Sequence, residues 1–226
     1  AMHRLKAHAL RFLPVGNLRA GDLRAGHRVD LVGFALLVGA HAGDLTGFAA
    51  ATWMRGMDWV NVPTTLLAMV DASTGGKTGC DLPEGKNLAG SFHFPRLVAV
   101  DTDWLTTLPA EILRDGRAEM IKHEIISGAV RDGARSIPSP AEIAGSLAVK
   151  ISVVERDPFE KTGERMKLNC GHTVAHAVET LSDYRISHGE AVAVGCTAEA
   201  RLATHVLPVA GCKGSARSCA CGTSSK

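Results

Sequence analysis

Three histidines fall within seventeen positions of this 226-residue chain: His172 and His176 in NCGHTVAHAVE, and His188 in HGEAVAVG. On a helix, residues four apart share a face one turn apart, so HTVAH presents two imidazoles together. That spacing suits zinc, as in HExxH, but no Glu follows the first His and the zincin arrangement is absent. Catalytic zinc takes three protein ligands and keeps one position open. Two histidines and a carboxylate would supply that set. Glu119, Glu179 and Glu190 are all candidates, and spacing alone does not choose among them. The alternative is a pair of imidazoles on a helix surface.

Two further stretches carry cations. In STGGKTG (73–79) paired glycines let the backbone approach an anion, and Lys77 adds a point charge. The GxxxxGK[ST] phosphate-loop spacing is not met, because Asp71 stands five before Gly76. GKN (85–87) repeats the theme with Lys86 and Asn87. Two such loops favour an anionic ligand over a flexible turn with solvated lysines. In RAEMIKHEII, Glu119 and Lys122 are three apart and share a helical face. By spacing alone that is a surface ion pair, which contributes little.

These residues need elements to hold them. The apolar run VDLVGFALLVG (29–39), followed by AHAGDLTGFAAATWMRG, reads as a buried strand, a glycine-containing turn and a helix starting near Asp44. MDWVNVPTT reads as a short strand entering a turn. LLAMVDASTGGKTGCDLPEGKNLAGSF begins as a helix and continues as glycine- and lysine-rich turns. RLVAVDTDWL is another buried strand, and TTLPAEILRDGRAEMIKHEII reads as helices. Strands alternate with helices to about residue 105, and the rest is helical apart from a Pro/Ser break at RSIPSPAE (135–142). The pattern predicts an α/β part followed by a mainly α-helical part, with 1–105, 106–205 and a 206–226 tail as its divisions. The tail, GCKGSARSCACGTSSK, has no apolar periodicity and is expected to be disordered. Its cysteines match no zinc spacing.

Composition narrows the partners. A net charge of +2 with no Lys/Arg stripe, and 4% aromatic residues, argue against nucleic acid. No apolar stretch reaches the roughly 18 residues that span a bilayer. The basic N-terminus lacks an apolar signal region. A cytoplasmic location is the expectation.

VPTTLLAMVDASTGGKTG, GKNLAGSFHFPR, DTDWLTTLP, GRAEMIKH, ERMKLNCGHTVAHAVE and HGEAVAVG occur in the order found in 3-dehydroquinate synthase, of the sugar-phosphate cyclase superfamily. The resemblance runs from about residue 36 to 203. It implies a partial NAD-binding domain, then a metal- and substrate-binding domain, in a chain shortened at both ends. It implies that Glu119, His172 and His188 hold a zinc ion (or cobalt), while His176 faces the substrate. Arg55, Asp71, Lys77, Asn87, Lys122, Lys150, Arg165, Asn169 and His176 would bind an anionic sugar acid phosphate, with His176, Lys122, Lys77 and Asn169 also catalytic. Gly39, Asp44, Thr64, Thr65, Lys86 and Thr107 would contact NAD+. Arg55 would cross a homodimer interface. The implied reaction converts 3-deoxy-D-arabino-heptulosonate 7-phosphate to 3-dehydroquinate and phosphate, in the shikimate route to aromatic amino acids. Transient NAD+ oxidation, phosphate elimination and aldol closure are its steps. Related cyclases making deoxyinosose or valiolone products, or a non-catalytic zinc-binding remnant, are the alternatives. The turn VGAHAGD places Val38 and Ala40 where the family has glycines, so a Cβ there is expected to hinder the pyrophosphate.

Overall fold

The computed structural model describes residues 11–12, 35–38, 42–129 and 137–206. The amino-terminal segment, the 39–41 turn with Gly39, and the 207–226 tail lie outside the described residues, and so do the expectations placed on them. Strands β1 (Arg11–Phe12), β2 (Ala35–Val38), β3 (Trp59–Val62) and β6 (Leu97–Val100) form a parallel sheet in the order β1-β6-β3-β2. Val38 pairs with Val62 and Val60 with Leu97. All four residues of β3 are buried, as expected of a parallel strand covered on both faces.

Helix α1 (Ala42–Thr52) lies on this sheet. It begins two residues before Asp44, which falls in its first turn rather than capping it. Gly47 sets its depth: a Cβ there would come within 2.4 Å of Thr78 and 2.8 Å of the Trp59 ring. After β3, a helical segment passes into a π-helical turn (Ala68–Ala72) that carries Asp71.

The segment expected to be turns is a hairpin instead. Strands β4 (Lys77–Leu82) and β5 (Gly85–Phe92) pair antiparallel, with Lys77 opposite Phe92 and Gly79 opposite Gly90. The glycines that read as loop punctuation are contact points. A Cβ on Gly79 would lie 2.8 Å from the Ala89 carbonyl, and one on Gly90 2.6 Å from that of Thr78.

The remainder is helical, as the sequence indicates. Helix α2 (Ala110–Ser127) starts after Pro109 and ends on Gly128 in the left-handed conformation. The Pro/Ser break is the start of α3 (Pro140–Arg156): Ser139 and Glu142 form a reciprocal capping box with Pro140 at the first helical position. Helices α4 (His172–Leu181) and α5 (His188–Val206) complete the described chain. Leu66, Met69, Val98, Val100, Leu105, Leu113, Met120, Ile143 and Leu147 form one core joining the sheet to α2 and α3. Ala175, Ala191 and Val192 form a smaller one between α4 and α5. No helix among the described residues is long and apolar enough to cross a membrane.

Candidate active site

Three helices bring one side chain each to a common point. Glu119, on α2, is fully buried. His172 and His188 are the first residues of α4 and α5. Local contacts place each start. Asp115, one turn before Glu119, accepts from the Ser187 hydroxyl and from the Gly189 N–H, seating α5 on α2. Glu199 of α5 accepts from the Gly171 N–H at 2.7 Å and seats α4. Glu119 Oε1 is 3.3 Å from His188 Nε2 and 3.6 Å from His172 Nε2. One ligand atom from each of the three lies within 4.8 Å of the others.

The far nitrogens of both rings are engaged. His172 Nδ1 is 3.2 Å from the Cys170 carbonyl, and His188 Nδ1 is 3.2 Å from Glu179 Oε1. A ring N–H donated to each acceptor turns both Nε2 lone pairs toward the Glu119 carboxylate. Three Lewis bases, two nitrogens and an oxygen, then face one point. That donor set suits a borderline divalent cation with an open position. The residues therefore fit the metal that the resemblance implies. Burial holds His172 below its ordinary pKa, and the nearby Lys122 charge adds to this. In the protonated ring the Nε2–H hydrogen bond to Glu119 raises His188 despite burial, and loss of that proton bares the Nε2 lone pair. Burial and the Asp71 charge push Glu119 upward, but contacts with His188 and Lys122 outweigh them and hold it ionised.

Beside this cluster lies a second, cationic one. The buried Lys122 ammonium pairs with Glu119 Oε2, the oxygen turned away from the histidines. Glu119–Lys122 is thus a buried pair inside the site, where spacing alone suggested a surface one. Lys150 of α3 donates to Asp71 Oδ1 at 2.6 Å and to the Asp71 carbonyl. Burial opposes ionisation of Asp71, but Lys150 and Lys122 hold its pKa far below the usual carboxylate range. His123, fully buried on α2, hydrogen-bonds through Nδ1 to the Ser146 hydroxyl at 2.7 Å; burial lowers its pKa to about 4. A Cβ on Gly75 would lie 2.5 Å from Arg165 Nη2 and 3.6 Å from Lys150 Cε, so the bare backbone of the glycine pair packs on two cations. Lys77 pairs with Glu160 at 2.8 Å.

His176 is exposed one turn beyond His172, its ring edge-on at 5.6 Å, and is outside the Glu119 cluster. Asn169 is exposed at the end of a short 3-10 segment that also carries the buried Arg165. Arg55 stands exposed in a left-handed turn after α1. Thr64 and Thr65 follow β3, and the Thr65 hydroxyl accepts from the Ala68 N–H. Thr107 is exposed, donating to the Trp104 carbonyl. Asp44 lies in the first turn of α1. Lys86 and Asn87 are on β5, and their side chains are not described. Sequence reasoning missed Glu160, Asp157 and His123, and considered Glu179 only as a ligand. For Glu179, the signal was its place seven residues after His172 on the same helix.

The fold is that of the sugar-phosphate cyclases. It superposes on 2-deoxy-scyllo-inosose synthase complexed with carbaglucose-6-phosphate, NAD+ and Co2+, with a TM-score of 0.67 at 32% identity over 75% of this chain and 49% of that one. It also superposes on 2-epi-5-epi-valiolone synthase from Streptomyces hygroscopicus, with NAD+ and Zn2+ bound, with a TM-score of 0.64 at 27% identity over 75% and 51%. Residues 26–115 match the family model described as 3-dehydroquinate synthase N-terminal, and residues 116–213 match the C-terminal one. The 3-dehydroquinate synthase of Xylella fastidiosa (strain M12) is 51% identical over 187 residues, covering 74% of this chain and 49% of the relative. The chain belongs to the 3-dehydroquinate synthase family. It spans about half the length of the curated relatives it matches.

Proposed function

We propose that the chain carries out the 3-dehydroquinate synthase reaction, releasing phosphate from 3-deoxy-D-arabino-heptulosonate 7-phosphate and closing a carbocycle. The observation that carries this reading is the Glu119, His172, His188 cluster with Lys122 paired to Glu119, and beside it Lys150 and Arg165 meeting at Gly75. A relative at 51% identity favours the acid-bearing substrate over those of the structural neighbours at 32% and 27%.

When bound, NAD+ supplies reversible oxidation of a ring hydroxyl, and a divalent metal held by Glu119, His172 and His188 polarises that oxygen. Arg165, Lys150 and Lys77 grip carboxylate and phosphate, the guanidinium by a two-pronged hydrogen bond and the ammonium groups as point charges. Burial lowers the Lys150 pKa, and Asp71, which fixes its ammonium group, opposes that lowering. Lys122 offsets one oxygen of Glu119 and leaves the other for the metal. His176, exposed beside His172, carries protons to and from the substrate, and Asn169 orients it. Asp44, Thr64, Thr65, Lys86 and Thr107, with Gly39, are assigned to the nucleotide. Arg55 is assigned to the pocket of a second copy in a cytoplasmic homodimer, whose mass sedimentation would read.

Phosphate release tests the reading. The purified chain, loaded with zinc and NAD+, is expected to release phosphate from the heptulosonate phosphate well above background. Background release from zinc-loaded protein would overturn the catalytic reading.

A further inference from the structure

The loop from Asp157 to Arg165 is held as one body. The Asp157 carboxylate accepts from the backbone N–H groups of Lys161, Thr162 and Arg165, at 2.7, 3.2 and 3.2 Å. Arg165 Nη1 returns to the Pro158 carbonyl at 2.9 Å. Two pocket side chains therefore move with this loop: Arg165 itself and Glu160, the partner of Lys77.

Phe159 docks that body onto the β4–β5 hairpin. Its ring stands edge-on to Phe92 at 5.7 Å and to Phe94 at 6.0 Å. Phe92, opposite Lys77 in the hairpin, also lies under the Arg165 guanidinium at 5.6 Å. Phe94 backs the glycine before Lys77, since a Cβ on Gly76 would come within 2.7 Å of its ring. One aromatic trio thus underlies Lys77 on one side and Arg165 on the other. Glu160, beside Phe159, has φ of +57°, a conformation that costs a residue with a side chain and persists where its surroundings impose it. The Phe159 ring contacts, the Lys77 ion pair and a hydrogen bond from the Glu160 N–H to the Asp157 carbonyl at 3.3 Å constrain it.

Phe159 is itself 47% exposed, so about half of its surface leaves water and half does not. Its edge-to-face geometry is directional, and this favours a role in spacing over one in bulk burial. Resting on the reading above, we infer that Phe159 is a positioning residue that sets the distance between Lys77 and Arg165, and with it the affinity for the anionic sugar acid phosphate.

The test compares Phe159→Leu, which keeps apolar bulk, with Phe159→Tyr, which keeps the ring. Calorimetric titration of the full, zinc-loaded chain with 3-deoxy-D-arabino-heptulosonate 7-phosphate gives the affinity. Losing two ring pairs and the support under a cation is expected to weaken binding about tenfold in Phe159→Leu. Phe159→Tyr should stay within about twofold of the parent chain. Zinc content and melting temperature should be unchanged in both, and where turnover is measured the loss should fall on KM. Parent-like binding by Phe159→Leu, or weakened binding that tracks a fall in melting temperature or zinc content, overturns the positioning role alone. A parent chain that binds no heptulosonate phosphate overturns both the role and the functional reading.

Discussion

Glu119 and His188 are sixty-nine residues apart in sequence, yet Oε1 and Nε2 meet at 3.3 Å. The helix-spaced pair His172 and His176 contributes only its first member to that meeting point. Zinc content measured by mass spectrometry should therefore fall from about one per chain to near zero in His188→Ala, three protein ligands being the working minimum for such a site. His176→Ala should retain its zinc. Zinc retained in His188→Ala, or lost in His176→Ala, would show that the ligands were misassigned.

Lys150 and Asp71 form a pair whose partners are costly to separate. Lys150→Met leaves the Asp71 carboxylate beside His123 without its nearest cation, which should destabilise the fold by about 3–5 kcal/mol. Adding Asp71→Asn should restore most of that loss. Urea denaturation of the two variants reads the difference, and equal losses in both would argue against a charge-based cost.

His123 gives the fold an acid-sensitive element. Asp71, Glu119, Lys122 and Lys150 surround it, and its folded pKa is about 4, against about 6.5 in an unfolded chain. Above pH 6.5 both states are neutral at this residue and stability is full. Between 6.5 and 4 only the unfolded state takes up the proton, so stability falls as pH falls. The loss amounts to roughly 3 kcal/mol by pH 4. His172 acts with the same sign and His188 with the opposite one. The comparison that isolates His123 is the slope of unfolding free energy against pH in the parent chain and in His123→Gln. The variant's slope should be shallower, and an identical slope would remove His123 from the account.

The packing of α4 on α5 admits no side chain at one point. A Cβ on Gly195 would lie 1.9 Å from the Gly171 carbonyl oxygen, and backbone cannot swing aside as a side chain does. Gly195→Ala should cost on the order of 3 kcal/mol in denaturation and lower zinc affinity with it, because Gly171 precedes His172. A stable, zinc-replete Gly195→Ala protein would show that the helices separate more easily than their contact implies.

How much of this could be read from the sequence varied with the range of the interaction. Local patterns carried well: the apolar strands at 59–62 and 97–100, the long helix around Glu119, and the break at 135–142 that became the Ser139 cap. The hairpin at 77–92 did not, because glycine has two uses with one appearance, free rotation in a turn and close approach in a ladder. The Glu119, His172, His188 convergence was accessible through resemblance and not through spacing, which pointed to His176 as readily. Glu160 was missed for a related reason. Its pairing with Lys77 depends on an eighty-three-residue separation closed by an aromatic cluster, and no local pattern encodes that.

His172 and His188 each open a helix. The first turn of a helix has N–H groups with no intrahelical acceptor, equivalent to about half a positive charge. Two such ends converge beside Glu119, so the main chain itself adds positive potential where the three side chains meet. That potential favours an ionised carboxylate and any oxygen gaining negative charge there. It acts through the main chain, and the Asp115 and Glu199 carboxylates, which accept from the Gly189 and Gly171 N–H groups, offset part of it at the two helix starts.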